Sequence, residues 1–289
     1  MIKQVFNTRT SSLRMTGISV FCAFIVMFFV IPAGAHLPVP QPGKFLVKPG
    51  ESIEVKAGLA EPLIKFDYSK EKMAEVGHDG GVASLTAAIK YADGSGASIP
   101  LAPANEAQPG DSSYNKGNVV VEKPGTSVVM MRYDFNSGTR PTVAYGKSLI
   151  NWAADSVSTQ RYGGDDVLEI TQAENLGPIS WGDEIAVLVT LRGQPLGGAK
   201  VSATYDGAPL PASSEEGEEK NNEYLFSKTD ASGKVAFRPD RPGTWIVAIE
   251  YIDEAAPKNK DEYKAERYPE WKGIRYRSVL VFQVPKTIE

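Results

Sequence analysis

The sequence predicts an all-β protein, two β-sandwich domains behind an N-terminal signal peptide. Three observations carry this. Apolar residues recur at period two along many short runs and nowhere in a long i, i+3, i+4, i+7 series. Pro-Gly and Asp-Gly turns separate those runs, as all-β sandwiches require. The first 35 residues differ in character from everything after them.

Lys3, Arg9 and Arg14 form a positive start with no acidic residue, and a 14-residue, predominantly apolar stretch runs from Ile18 to Ile31. Pro32 and the small-residue site Ala33-Gly34-Ala35 follow. This is the layout of a cleavable secretory signal, residues 1–35. A membrane span needs about 20 apolar residues, so the stretch is short for an anchor. Removing it leaves a periplasmic chain of 254 residues, formal charge −7 and no cysteine, since the single Cys22 lies within the leader. A cysteine-free chain suits an oxidising compartment.

Alternation marks the strands in order. Ile53, Val55 and Ala57 alternate with Glu54 and Lys56. Leu85–Tyr91, Asn118–Glu122 and Val128–Tyr133 follow, then Asp166–Thr171, Glu184–Leu191 and Ala199–Tyr205, and finally Lys234–Phe237, Thr244–Tyr251 and Arg277–Val284. The connections Lys48-Pro49-Gly50, Lys123-Pro124-Gly125 and Arg241-Pro242-Gly243 suit tight turns. Proline presets φ and the following glycine accepts positive φ. Asp93-Gly94-Ser95-Gly96 and Asp230-Ala231-Ser232-Gly233 are further hairpin signals. No helix follows these glycines, so they are not phosphate loops.

The runs group into an N-terminal sandwich, residues 36–160, and a C-terminal one, 161–289, with Arg161-Tyr162-Gly163-Gly164-Asp165 at the joint. Trp245, in an alternating strand, is the expected aromatic anchor of the second core; Trp181, in a loop before a strand, is expected to be partly exposed. The acidic stretch Ser213–Asn222 and the charged stretch Asp253–Arg275 are expected to be solvated loops. The latter leaves room for a short helix over Lys260–Glu266. Its aromatics Tyr263, Tyr268 and Trp271, with the adjacent Tyr276, offer a partner surface.

Composition excludes several functions. The balance of 31 basic and 35 acidic residues lacks the footprint of a nucleic-acid binder. One Cys and two His exclude a disulfide framework, a multi-cysteine metal site and a three-histidine site. No Gly-x-Ser-x-Gly, His-Glu-x-x-His or His–Cys pairing is present, so no enzyme activity is expected and no catalytic residue is assigned.

One chemical feature survives. Cleavage after Ala35 places His36 at the new amino terminus. The α-amine, of pKa roughly 7.7–8.0, and the imidazole, of about 6.5, can then chelate one ion together. Such a nitrogen pair suits Ni(II) or Cu(II), with Cu(II) preferred on intrinsic affinity. Its affinity falls with pH as protons compete. The other histidine, His78 in Gly77-His78-Asp79-Gly80-Gly81, is the candidate third ligand. Asp79 or Glu75 would then supply an oxygen ligand or orient the imidazole. Oxidative copper chemistry would further need an open coordination position over a substrate surface.

The second block carries Gly193-Gln194-Pro195-Leu196-Gly197-Gly198-Ala199-Lys200-Val201, then Thr229-Asp230-Ala231-Ser232-Gly233-Lys234-Val235-Ala236-Phe237. Arg241-Pro242-Gly243-Thr244-Trp245-Ile246-Val247 and Tyr276-Arg277-Ser278-Val279-Leu280-Val281-Phe282 complete the series. Such a series occurs in immunoglobulin-like and prealbumin-like extracellular modules. Combined with Ala35-His36-Leu37 after the leader, it resembles the family of periplasmic domains of unknown function linked to bacterial nickel uptake. The resemblance spans almost the whole mature chain. It implies an exported all-β protein linked to nickel uptake and sometimes partnered with a membrane metal-uptake transporter. One departure stands out. Members commonly carry a histidine in the glycine-containing segment after the second strand, where this chain has Gly58-Leu59-Ala60-Glu61-Pro62.

Two functions are therefore expected to compete. One is a periplasmic metal-binding accessory of nickel or related transition-metal uptake. The other is a metal-free adhesion or scaffold module that works through edge strands and aromatic loops.

Overall fold

The computed structural model describes residues 37–61, 65–68, 84–105, 113–137, 140–151, 166–173, 182–206, 208, 225–258 and 270–286. All belong to the compact unit Ile31–Glu289. The strands in chain order are β1 (Leu37–Pro42), β2 (Glu51–Glu61), β3 (Lys65–Tyr68), β4 (Ser84–Tyr91), β5 (Gly96–Ser98) and β6 (Ala102–Asn105). Next come β7 (Ser113–Val121), β8 (Ser127–Ser137), β9 (Arg140–Ile150), β10 (Leu168–Gln172), β11 (Ile185–Leu191) and β12 (Gln194–Pro195). The last are β13 (Lys200–Tyr205), β14 (Leu225–Lys228), β15 (Lys234–Phe237), β16 (Gly243–Asp253) and β17 (Ile274–Val284). No helix occurs among the described residues, so none is long and apolar enough to cross a membrane. The all-β expectation holds.

Three sheets form. The central one has eight strands in the order β14-β13-β16-β17-β9-β8-β4-β5. A second sheet runs β1-β2-β7-β6 with β3 on β2, and a third runs β10-β11-β12 with β15 on β11. The sequence blocks on either side of residue 160 thus share the central sheet. They meet where β9 pairs with β17 in parallel, Thr142 opposite Arg275 and Ser148 opposite Val281. Every other pairing is antiparallel. The joint expected at 161–165 lies outside the described residues, as do Trp152 and Trp181.

Alternation sends successive side chains to opposite faces of the central sheet. On one face Val143, Tyr145 and Leu149 of β9 join Trp245, Val247, Leu280 and Phe282 in a core that includes Leu168, Ile170, Val187 and Phe237 of the third sheet. On the other face, Ala144 and Ile150 of β9 and Val129, Met131 and Tyr133 of β8 pack against Ile53, Val55 and Val121 of the second sheet. Beside them Val279, Val281, Ile246 and Ala248 pack against Leu37, Val39 and Ala60. Removing this apolar surface from water on both faces is the main driving force of the fold.

Trp245 is the anchor expected of the second core. It is 2% exposed, its ring is tilted against Tyr205 at 5.7 Å, and its Nε1–H donates to the Arg241 carbonyl at 3.0 Å. The expected turns also form. Gly50 and Gly125 take φ of 85° and 87°, in the left-handed region that glycine tolerates. Asp93 and Asp230 each accept hydrogen bonds from the backbone N–H and hydroxyl of the serine two residues on.

The charged segment 253–275 departs from the expected open loop at both ends: Asp253 closes β16, is buried and pairs with Arg192, and Ala256 joins the core. Arg275 belongs to β17 and Tyr276 is buried in the core. Trp271 packs against that core, its Nε1–H donating to the Ala256 carbonyl at 2.9 Å. Tyr276 faces inward because β17 begins at Ile274, earlier than polar composition indicates, whereas Trp271 precedes the strand and is held by the Ala256 carbonyl. The possible helix over Lys260–Glu266, Tyr263, Tyr268 and the acidic stretch Ser213–Asn222 lie outside the described residues.

Candidate functional site

The residues singled out from the sequence, His36, His78, Asp79 and Glu75, all lie outside the described residues, as does the leader 1–35. Among the described residues no group of three or more His, Cys, Asp and Glu side chains is placed to hold a metal ion. The structure does define the frame in which those segments are mounted.

β1 starts at Leu37, one position after His36, and is buried along its length apart from Gln41. It pairs with β2 from Leu37 opposite Ala60 to Pro42 opposite Val55. Its other contact is the face of β9. A Cβ at Gly146 would lie 2.4 Å from the Pro38 carbonyl oxygen and 2.6 Å from the Pro40 Cδ, so only glycine admits this approach. The Ser148 hydroxyl donates to the Pro40 carbonyl. Asn151, at φ 55°, holds the connection after β1. Its Nδ2 donates to the Val47 carbonyl at 2.9 Å and its Oδ1 accepts from the Val47 N–H at 2.7 Å. Asparagine tolerates this left-handed conformation better than most side chains.

These contacts set a direction. Pro38 lies over Gly146 and Pro40 over Ser148, so the start of β1 points toward the Val143–Ala144 end of β9. Ser84, the first residue of β4, lies at this same end. It pairs with Asp134, and Asp134 pairs with Val143. Leu37, which follows His36, and Ser84, which follows the segment bearing His78, therefore share one end of the molecule.

That end also carries a half-buried basic cluster that sequence reading missed. Arg275 and Arg277 on β17 project to the same face as Ala144. Glu250 on β16, register partner of Arg277, lies between their guanidinium groups. Arg277 Nε donates to Glu250 Oε2 at 2.9 Å, and Arg275 Nε lies 3.4 Å from Oε1. Burial pushes the Arg277 guanidinium below its ordinary range, with Glu250 opposing. Arg140, at the start of β9, lies on that face as well. Its buried Nε and Nη1 have no hydrogen-bond partner among the described residues. The available signal was Arg275 and Arg277 at i and i+2, one face of a strand.

A second cluster lies across the sheet. Lys147 of β9 is 2% exposed. Its ammonium donates to Glu169 of β10 and lies 3.2 Å from Asp166 Oδ2. Burial raises the Asp166 carboxyl above its ordinary value, with Lys147 opposing. Beside them the Tyr145 phenol is pushed up to about 12, mainly by burial. The Ser278 hydroxyl accepts from the Ile170 N–H at 3.2 Å and closes the seam between β17 and β10.

Comparison with known proteins places the chain. Among solved structures it is similar to the D0–D1 domains of intimin, at 14% identity and a TM-score of 0.21, covering 84% of this chain and 96% of that one. The adhesin InvE of Yersinia pseudotuberculosis matches at 12% identity and a TM-score of 0.19, covering 87% of this chain and 61% of that one. Trypsin-activated alpha-2-macroglobulin of Escherichia coli matches at 11% and 0.21, covering 88% of this chain and 16% of that one. No curated protein matches the sequence. A family model described as a domain of unknown function (DUF4198) matches residues 33–253, most of the chain. The chain therefore belongs to the DUF4198 family of domains of unknown function.

Proposed function

We propose that this protein is an exported, periplasmic metal-binding accessory. In this reading it captures Ni(II) or Cu(II) at a processed amino terminus and presents the ion to a membrane metal-uptake transporter. The observation that carries the reading is the mounting of β1. The strand begins one residue after the expected cleavage point, is buried between β2 and β9, and has its approach fixed by Gly146. Cleavage after Ala35 would make His36 the terminal residue, joined directly to this buried strand. Its α-amine and imidazole would be held together for chelation at little entropic cost. The placement of Leu37 and Ser84 at one end supports the further step in which His78, with Asp79 or Glu75, completes the ligand set.

The role is one of binding rather than catalysis. The basic cluster at this end opposes cation capture electrostatically. Selectivity would then rest on nitrogen ligation rather than on field attraction.

The test is calorimetric titration of Ni(II) and of Cu(II) into the processed protein, repeated on protein carrying one extra alanine before His36. Saturable binding that the extra alanine abolishes supports the amine–imidazole chelate. Saturable binding that persists with the alanine moves the site away from the terminus. No saturable binding in either form leaves the metal-free scaffold reading in its place.

A further inference from the structure

The mature chain has no cysteine, so a disulfide cannot brace its exported sheets. The structure contains another pair of groups suited to a covalent brace. Lys147 is a lone lysine in the strand Val143–Ile150, a strand buried on both faces. Its Nζ lies 3.2 Å from Asp166 Oδ2 and donates to Glu169. Lys147 sits between Tyr145 and Leu149 on a face that packs against Leu168 and Ile170. One amine and two carboxyl groups thus meet in an apolar, water-poor seam between the central sheet and β10.

We infer that Lys147 and Asp166 condense to an intramolecular isopeptide bond, with Glu169 carrying the protons. Glu169 takes a proton from the Lys147 ammonium and frees the amine lone pair. Nζ attacks Cγ of the protonated Asp166 carboxyl, and the N–C bond forms as Glu169 returns its proton to the carbonyl oxygen. Glu169 then removes the second proton from nitrogen and hands it to the departing hydroxyl, and it takes back the proton of the retained hydroxyl as the amide C=O re-forms. The C–O bond breaks and water leaves. An ammonium, a carboxylate and a carboxylic acid become an amide, a neutral Glu169 and one water. Net charge and atoms balance, and neither oxidant nor reductant is needed.

Three physical arguments favour the step. The amine and the Asp166 carboxyl are already in ion-pair contact, 3.2 Å from Nζ to Oδ2, and intramolecular reactions that start from such held pairs reach effective molarities of roughly 10⁵–10⁸ M once well oriented. Exclusion of water from the seam favours condensation over hydrolysis. The product also removes the buried charges of the triad, whose desolvation is expensive. The two carboxyl groups divide the roles by position. Glu169 is fixed in the β10 ladder opposite Thr190 and bonded to Nζ, as a proton carrier must be. Asp166 precedes the strand and can close the remaining distance. Burial favours its protonated, electrophilic form. The bond ties β9 to the start of β10 across the seam between sheets. It does not depend on the metal reading.

The test is the intact mass, under denaturing conditions, of the exported full-length protein with its N-terminus determined. It should be one water lighter than its sequence. Digestion should yield a branched peptide joining the Lys147 segment to the Asp166 segment, with no tryptic cleavage after Lys147. Glu169→Gln and Asp166→Ala should each restore the full sequence mass. A wild-type mass equal to the sequence mass overturns the inference. So does a water loss without the branched peptide, because a succinimide at an aspartate also loses water. A branch ending at Glu169 overturns it equally. The wild-type result decides the matter even if a variant fails to fold.

Discussion

The central sheet holds two polar clusters, one on each face, with opposite charge balance. On the face toward β10, one lysine meets two carboxyl groups, Lys147 with Asp166 and Glu169. On the face toward β1, two arginines meet one carboxylate, Arg275 and Arg277 with Glu250, and Arg140 stands on the same face. The difference is chemical as well as numerical. A carboxyl group crowded by burial and a like charge can take up a proton and become neutral. A guanidinium cannot shed its charge at any ordinary pH. The acidic cluster can therefore relax by protonation or react, whereas the basic cluster depends permanently on its counter-charge.

The largest effect should come from removing that counter-charge. Glu250→Ala leaves the half-buried Arg275 and Arg277 without their carboxylate and should cost about 3 kcal/mol, the lower end of the range for breaking a buried pair. Urea unfolding at pH 7 measures it, and the loss should persist at pH 5 because the arginines stay charged. A loss that vanished at pH 5 would break the contrast.

Lys147→Met on the opposite face leaves Asp166 and Glu169 without their amine and, measured against the unlinked protein, should cost somewhat less, roughly 2–3 kcal/mol at pH 7. Its pH dependence should differ in sign of response. The folded Asp166 carboxyl lies above its ordinary value, so the folded state binds more protons than the unfolded one in that window. The destabilisation is then full at pH values above the raised folded value and is relieved as the pH falls through it. Unfolding of the variant between pH 7 and pH 4 checks this; a flat profile would remove protonation as the source of relief.

Tyr145→Phe should be smaller still: it loses the backbone hydrogen bond at Val167 at every pH, and its pH-dependent part is confined to alkali. The phenol titrates at 10.0 when unperturbed and at about 12 in the fold. Stability from keeping it neutral is intact below 10 and is lost as the pH rises from 10 to 12. The phenylalanine variant should show a shallower fall over that window in alkaline denaturation.

The smallest effect belongs to an exposed site. In the β4–β5 turn Asp93 bonds Ser95 and Lys123, and the Lys123 hydrogen bond holds its carboxyl well below the ordinary value of 3.8. Asp93→Asn should lower the thermal midpoint slightly at neutral pH. That difference should fade as the pH falls below 3.8, since this group's stabilisation is lost as it protonates. An equal deficit at pH 7 and pH 2 would count against the ion pair and for the turn geometry alone.

How much of this was legible beforehand varied by element. β2, β4, β8 and β11 announced themselves because one face packs and the other is wetter, which leaves a period of two. β9 did not. Arg140–Ile150 is buried on both faces, so its apolar and small residues run together without alternation. The proline-rich β1 was equally silent, because proline disfavours strand interiors and Leu37–Pro42 reads as a spacer. Missing β9 hid the parallel seam with β17 and both clusters, since Lys147 and Arg277 gain meaning only when β10 and β16 are laid beside them. Of the candidate site, His36 and His78 came from the chemistry of imidazole and a free amine. The frame at Leu37 and Gly146 came from packing.

The sequence by itself determined the β class, the positive-φ turns at Gly50 and Gly125, the anchoring role of Trp245 and the absence of cysteine after residue 35. Each depends on local backbone preference, residue type or short-range periodicity. Only the tertiary structure decided that one sheet joins the two blocks, that β1 lies on Gly146, and that Lys147 faces two carboxyl groups while Glu250 faces two arginines. Those pairings join residues distant in sequence, or from different sheets, and are set by strand register and by which face each strand buries. No local pattern encodes either.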